Sequence, residues 1–509
     1  MVRSSPATIG ATTPKGTTHD FDRGFYDYRP DIRGFPPRRD SGRIQTFRGI
    51  PDGAPTGGAN RFMAPRKQEP WAGVRDALTY GPIAPQLSRD GAGSANPIDD
   101  ARGNEGEDCL VLNVFTPGTG DGSRRPVMFW CHGGGFISGS GGAAYDGSNL
   151  ARRGDVVVVS INHRLNALGF LHLGEIGGPE FASSGNAGML DIVAALEWVR
   201  DNIAAFGGDP GNVTVFGESG GGRKTAVLMA MPAAKGLFHR AIIQSGPELR
   251  VNEAAYATQL AEAVLSELGV KPGDLEEIQR LPLGRIMAAQ SAAAAKMPSS
   301  NARGGFRPVM DGAVLPSHPF TPAAPGLSAD VPLMVGFNRT EATLFLANDK
   351  EAFELDETGL QKRVSRLLRE RSEEVIQEMR ALYPDASPSD LYIAIHTGFL
   401  RYDRFHPDSG TKGCPGRSAR VSLHVRVGIA GPLGEAEDAT RAGDPLRLRQ
   451  RCAGHVGDIH AGHTGGAHAG GKGQRHVGCV RTHRRPEQRR PPPLGALLGH
   501  RTEDDADRQ

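Results

Sequence analysis

Gly217-Glu218-Ser219-Gly220-Gly221 sets one serine between glycines, directly after the β-rich run 213–216 and at the start of a helical stretch from Gly222. A sharp strand-to-helix turn of this kind lifts a hydroxyl above the edge of a sheet, and glycines flank it where a side chain would strike neighbouring backbone. The helix start beneath Ser219 also favours the negative charge that develops in acyl transfer. Gly-x-Ser-x-Gly alone recurs as an ordinary turn in a chain with 69 glycines, so the flanking strand and helix carry the argument. A second motif, His132-Gly133-Gly134-Gly135-Phe136, follows the apolar run 127–130 and lies 87 residues before Ser219. By itself it is a flexible loop. Paired with the serine turn, its glycines can aim backbone N–H groups at an oxyanion, joined by the N–H of the residue after the nucleophile. The expected donors are Gly134, Gly135 and Gly220, and the expected chemistry is acyl transfer through Ser219. A serine nucleophile also needs a base and an acid to orient it. Glu341, just past the apolar run 331–335, is the candidate acid, although such a residue taken alone reads equally as a solvated carboxylate.

These residues require a frame that brings strand ends together. The runs 127–130, 155–160, 212–216, 241–244 and 331–335 are short, β-rich and bounded by Gly, Asn or Pro, as buried strands are. Between them, 187–206 places Leu190, Val193, Leu196, Val199 and Ile203 largely on one helical face, and 358–383 does the same with Leu360, Val364, Leu367 and Val375. Strands alternating with helices predict an α/β fold with a mainly parallel central sheet flanked by helices.

Residues 43–404 therefore read as the catalytic body, preceded by an irregular Pro- and Arg-rich segment, 1–42. Composition shifts after Phe405: all 31 aromatic residues lie at or before it, whereas nine of the 16 histidines lie beyond it. A segment so poor in large apolar groups is expected to pack poorly, because little offsets its ordering entropy. The formal net charge of +2 supplies no field for nucleic acid or an anionic membrane, which leaves a small, roughly neutral partner. No apolar run resembles an export signal or a membrane span. Five cysteines without CxxC spacing are unlike a disulfide framework or a zinc site. Together these predict a cytoplasmic protein, with oligomeric state undetermined.

Several longer segments resemble the type-B carboxylesterase family, which includes bacterial para-nitrobenzyl esterases and the cholinesterases. The stretch from Phe206 to Gly221 is similar to the family's active-site signature throughout, and Glu107-Asp-Cys-Leu-Val-Leu-Asn-Val-Phe115 to its second signature. Phe47-Arg-Gly-Ile-Pro51, Asn162-His-Arg-Leu165, Gly185-Asn-Ala-Gly188 and Gln244-Ser-Gly246 also match. The resemblance implies the α/β-hydrolase fold, a Ser-Glu-His triad with Glu341 in the family's Asn-x-x-Glu segment, and no metal or organic cofactor. It also marks departures. No cysteine precedes Cys109, so a disulfide found in secreted relatives is absent, and Gly220 stands where alanine is commoner. Ala453-Gly-His455-Val-Gly-Asp-Ile459 matches the first half of the family's histidine motif, but His460-Ala-Gly462 replaces its Pro-Phe continuation. His455 is thus the candidate base. Two alternatives stand beside it: a non-catalytic or impaired binding module on the same fold, and a tail that is the product of a shifted reading frame. The histidines of 455–468 are spaced too irregularly to read as a metal site.

Overall fold

A computed structural model describes residues 44–86, 104–297 and 305–404. The described residues form two compact units, 44–338 and 339–402. The first is built on a seven-stranded sheet of β1 (Gln45–Pro51), β2 (Val111–Thr116), β3 (Arg125–Cys131), β4 (Val157–Ile161), β5 (Gly208–Glu218), β6 (Arg240–Gln244) and β9 (Leu333–Gly336), in the order β1-β2-β4-β3-β5-β6-β9. The contacts β1–β2 and β2–β4 are antiparallel, and the remaining four are parallel. Two short strands, β7 (Asn252–Glu253) and β8 (Val309–Met310), pair separately. The mainly parallel sheet is the one the alternating apolar runs predict.

Helices α1 (Ser148–Gly154), α2 (Asn166–Phe170), α3 (Gly174–Gly177), α4 (Ala187–Asn202), α5 (Gly220–Leu228), α6 (Ala254–Leu268), α7 (Leu275–Arg280) and α8 (Leu283–Lys296) complete this unit. All residues of β2 and β4 are buried, which explains why neither alternates between polar and apolar residues: a strand covered on both faces has no solvent side to mark. Helix α4 buries Met189, Ile192, Val193, Leu196 and Val199 in the same core as Val127, Phe129, Val213 and Val215 of the sheet. Each such side chain contributes about 1.5–3 kcal/mol on burial.

The second unit consists of α9 (Glu341–Leu346), α10 (Glu357–Leu368), α11 (Ser372–Leu382) and α12 (Pro388–Arg404). Its core gathers Ala342, Leu346, Leu360, Val364, Val375, Met379, Leu391 and Ile395. Asp356 caps α10 by accepting from the Gly359 N–H at 2.7 Å. The single helical period read over 358–383 is broken into α10 and α11 at Arg369, whose φ of +51° leaves the helical region. Apolar spacing continues across this break because both helices turn their apolar faces to one core.

Candidate active site

Strands β3 and β5 are neighbours with Trp130 opposite Phe216 and Cys131 opposite Gly217, so their C-terminal ends release two loops side by side. Beyond β5, Ser219 adopts φ +52°, ψ −117°, and α5 begins at the next residue. This conformation is unfavourable for a residue with a Cβ. It is held by a hydrogen bond from the Ser219 N–H to Gln244 O at 2.9 Å and by Arg223 N–H donating to Ser219 O at 3.1 Å. The flanking glycines answer a packing need. A Cβ on Gly217 would lie 2.4 Å from the Gly221 carbonyl carbon, and one on Gly221 would lie 1.9 Å from Cys131 O. Gly246, in a segment matched at the sequence level without a role, is as confined: its Cβ would meet Ser219 O at 2.0 Å.

The glycine loop after β3 runs against this turn. A Cβ on Gly220 would stand 2.3 Å from Gly135 N, so the two backbones touch beside Ser219 and alanine at 220 would push them apart. Gly134 (φ +85°) and Gly135 (φ +67°) both occupy the left-handed region. Peptide orientations in the loop follow from its hydrogen bonds, since C=O and N–H point oppositely across a trans peptide. His132 Nδ1 bonds Gly133 O at 2.8 Å, and Ser138 N–H donates to Gly134 O at 3.1 Å. The amides of Gly134 and Gly135 are thereby fixed on the opposite sides of their planes. The far end is anchored by Gly139 N–H donating to Gln86 Oε1 at 2.8 Å and Asn166 N–H donating to Phe136 O at 2.8 Å.

His132 itself is fully buried and stacked on His163 at 4.9 Å between ring centroids. Burial, and then the nearby Lys224, hold its pKa well below the ordinary histidine value. The neutral ring that donates Nδ1–H to Gly133 O is a structural support of the loop. Lys224 on α5 is also completely buried, and its Nζ donates to His132 O at 2.8 Å. Sequence reasoning missed it, because Arg223-Lys224 in a helix reads as a solvated polar pair. Cys109 and Cys131 are buried free thiols, and burial pushes Cys131 up to about 12, so neither supplies a thiolate nucleophile.

Ser219, Gly134, Gly135 and Gly220 are thus brought together in the first unit. Glu341 is the first residue of α9 in the second unit, with the following Ala342 N–H bonded to Thr397 Oγ1 at 3.1 Å. His455 lies outside the described residues, as do segment 1–42 and the tail from 405. Among the described residues no group of His, Cys, Asp and Glu is placed to hold a metal ion, and no helix is long and apolar enough to cross a membrane.

Residues 30–396 match the Carboxylesterase family. The chain is 39% identical to the para-nitrobenzyl esterase of Bacillus subtilis over 359 residues, covering 70% of this chain and 71% of that protein. It is 38% identical to the phenmedipham hydrolase of Pseudarthrobacter oxydans, covering 63% of each. Among solved structures, the carboxylesterase of Geobacillus stearothermophilus superposes with a TM-score of 0.59 at 37% identity, over 72% of both chains. A solved para-nitrobenzyl esterase gives 0.56 at 37% identity, over 71% of this chain and 72% of the other. The protein is therefore an α/β-hydrolase of the carboxylesterase family.

Proposed function

We propose that the chain hydrolyses small carboxylic esters through an acyl-enzyme on Ser219. Ser219 Oγ attacks the ester carbonyl carbon while His455 takes its proton, and Glu341 orients the histidine and stabilises the imidazolium. The amides of Gly134, Gly135 and Gly220 bind the oxyanion of the tetrahedral intermediate, a contribution of about 10²–10³ in turnover per donor. The leaving alcohol receives the proton from the histidine, and water then repeats the sequence on the acyl-enzyme. No step needs a metal or organic cofactor. The observation that carries this reading is the contact of the Gly135 amide with Gly220 beside the strained Ser219 backbone. A cytoplasmic setting accords with the free thiols of Cys109 and Cys131.

A second reading is an impaired esterase. It rests on the end of the family match at residue 396 and on the 104 residues after Phe405 that contain no aromatic side chain to wall the pocket or seat the base. Loss of the base leaves roughly 10³–10⁴-fold catalysis over water. Purified chain is assayed with a p-nitrophenyl ester and labelled with an organophosphonate, alongside Ser219→Ala and His455→Ala. Labelling is expected at Ser219 and lost in Ser219→Ala; persistent labelling elsewhere removes Ser219 as nucleophile. High turnover abolished by His455→Ala supports the complete triad, whereas equal low turnover in both removes His455 from it and favours the impaired reading.

A further inference from the structure

Three successive peptide planes carry the backbone from His132, the first residue after β3, to the amide of Gly135. The planes that start at Gly133 and Gly134 are held by partners from the loop itself, His132 Nδ1 and the Ser138 N–H. The plane that starts at His132 is held from outside, by Lys224 Nζ. Lys224 lies five residues after Ser219 on α5, so the helix that follows the nucleophile also grips the root of the facing loop. We propose that Lys224 is a positioning residue for the oxyanion loop, its side-chain nitrogen fixing the His132 carbonyl so that the following glycine amides converge on the space beside Ser219. This rests on reading that loop as the oxyanion hole.

The surroundings favour control by protonation. No carboxylate pairs with Lys224 among the described residues, and its Nζ lies 5.9 Å from the centre of the Phe136 ring. Facing it from β3 is the thiol of Cys131, whose negative form would favour the ammonium, while Arg223 on its own helix opposes it. From the loops come His132 and His163, both kept neutral chiefly by burial. Arg307 sits 6.0 Å from the centre of the Phe136 ring and is paired with Glu248, which also faces Arg223 at 3.8 Å. Burial first, and to a smaller extent the Arg223 charge, lower Lys224 to about 7 against the opposing effect of Cys131. Below that pH the grip is a charge-assisted hydrogen bond; above it a neutral amine donates more weakly, a difference of about tenfold in the equilibrium for loop release.

The test is amide exchange in the full chain, read on the peptide 132–139 and normalised both for the intrinsic pH dependence of exchange and to peptides of β3 and β5 in the same sample. In the wild type, normalised exchange of the loop is expected to rise about tenfold between pH 6 and pH 8.5, with a midpoint near 7. Lys224→Met, an apolar side chain of similar shape, should exchange rapidly at both pH values with no midpoint, and Lys224→Gln, a neutral donor, should exchange without a midpoint at a rate near that of the wild type at pH 8.5. Wild-type exchange with no pH step overturns the proposal, as does a Met variant that keeps wild-type loop protection or loosens loop and sheet in equal proportion. Because exchange needs no turnover, this outcome is independent of Ser219 labelling, which tests the active-site reading itself.

Discussion

At the scale of single residues, Ser219 is held in a conformation its own side chain disfavours. A non-glycine residue at φ +52°, ψ −117° costs about 1–3 kcal/mol, part of which glycine at the same position would lose again through its freer unfolded chain. Ser219→Gly is therefore expected to raise unfolding free energy by about 1 kcal/mol while removing organophosphonate labelling, as measured by urea denaturation. A destabilised variant would mean that the serine side chain supports the turn instead of straining it. Much of this corner was legible from residue types alone: Gly217, Gly221 and the strand before them mark a crowded turn in any sheet. Gly220 was legible as an expected donor and as a departure from alanine, but not its packing: the Gly135 backbone lies 2.3 Å from where a Cβ would stand, a contact between loops far apart in sequence. Lys224 was illegible, since nothing in a helical Arg-Lys pair says which of the two faces a carbonyl in the core.

At the scale of elements, the segments that identify the family are largely joints between strands and helices. Arg61 meets Glu107 through two bonds, Nε to Oε1 at 2.5 Å and Nη2 to Oε2 at 2.7 Å, tying the segment before β2 to the turn after β1. Asn113 within β2 accepts from the Gly49 N–H at 3.0 Å and donates to Gly141 O at 2.9 Å. Arg164, just beyond β4, clamps Asp191 of α4 with Nε to Oδ2 at 2.8 Å and Nη2 to Oδ1 at 2.6 Å, and both side chains are buried. A buried pair of this kind contributes modestly as a pair, but removing one partner strands a charge at a cost of about 3–5 kcal/mol. Asp191→Ala is expected to show that loss in chemical denaturation, whereas exchanging both residues for apolar ones should cost far less; equal losses would show that packing and not charge holds the joint. Sequence periodicity found the parallel strands yet passed over β2, because a strand buried on both faces and carrying an asparagine that bonds inside the sheet has neither alternation nor an unbroken apolar run. It likewise joined α10 to α11, since a break at one left-handed residue leaves helical spacing almost intact.

At the scale of the molecule, the sheet order sets neighbours that the chain order separates. Trp130 and Phe216 are 86 positions apart yet adjacent, with β4 and α4 threaded between them in sequence. Parallel pairing at this range closes a long loop before any contact rewards it, which slows folding. The corner around Ser219 consequently has no half-built form: neither the glycine loop nor the serine turn can take its shape until β3 and β5 lie together. On refolding from denaturant, pulse-labelled amides of β3 and β5 are expected to gain protection in one shared phase, with reactivity of Ser219 toward an organophosphonate appearing no earlier. Reactivity that precedes sheet protection would show a turn that preorganises alone. For a ribosome the same wiring is a timer: the strained turn at Ser219 cannot form on an emerging chain until the segment through α5 has cleared the exit tunnel.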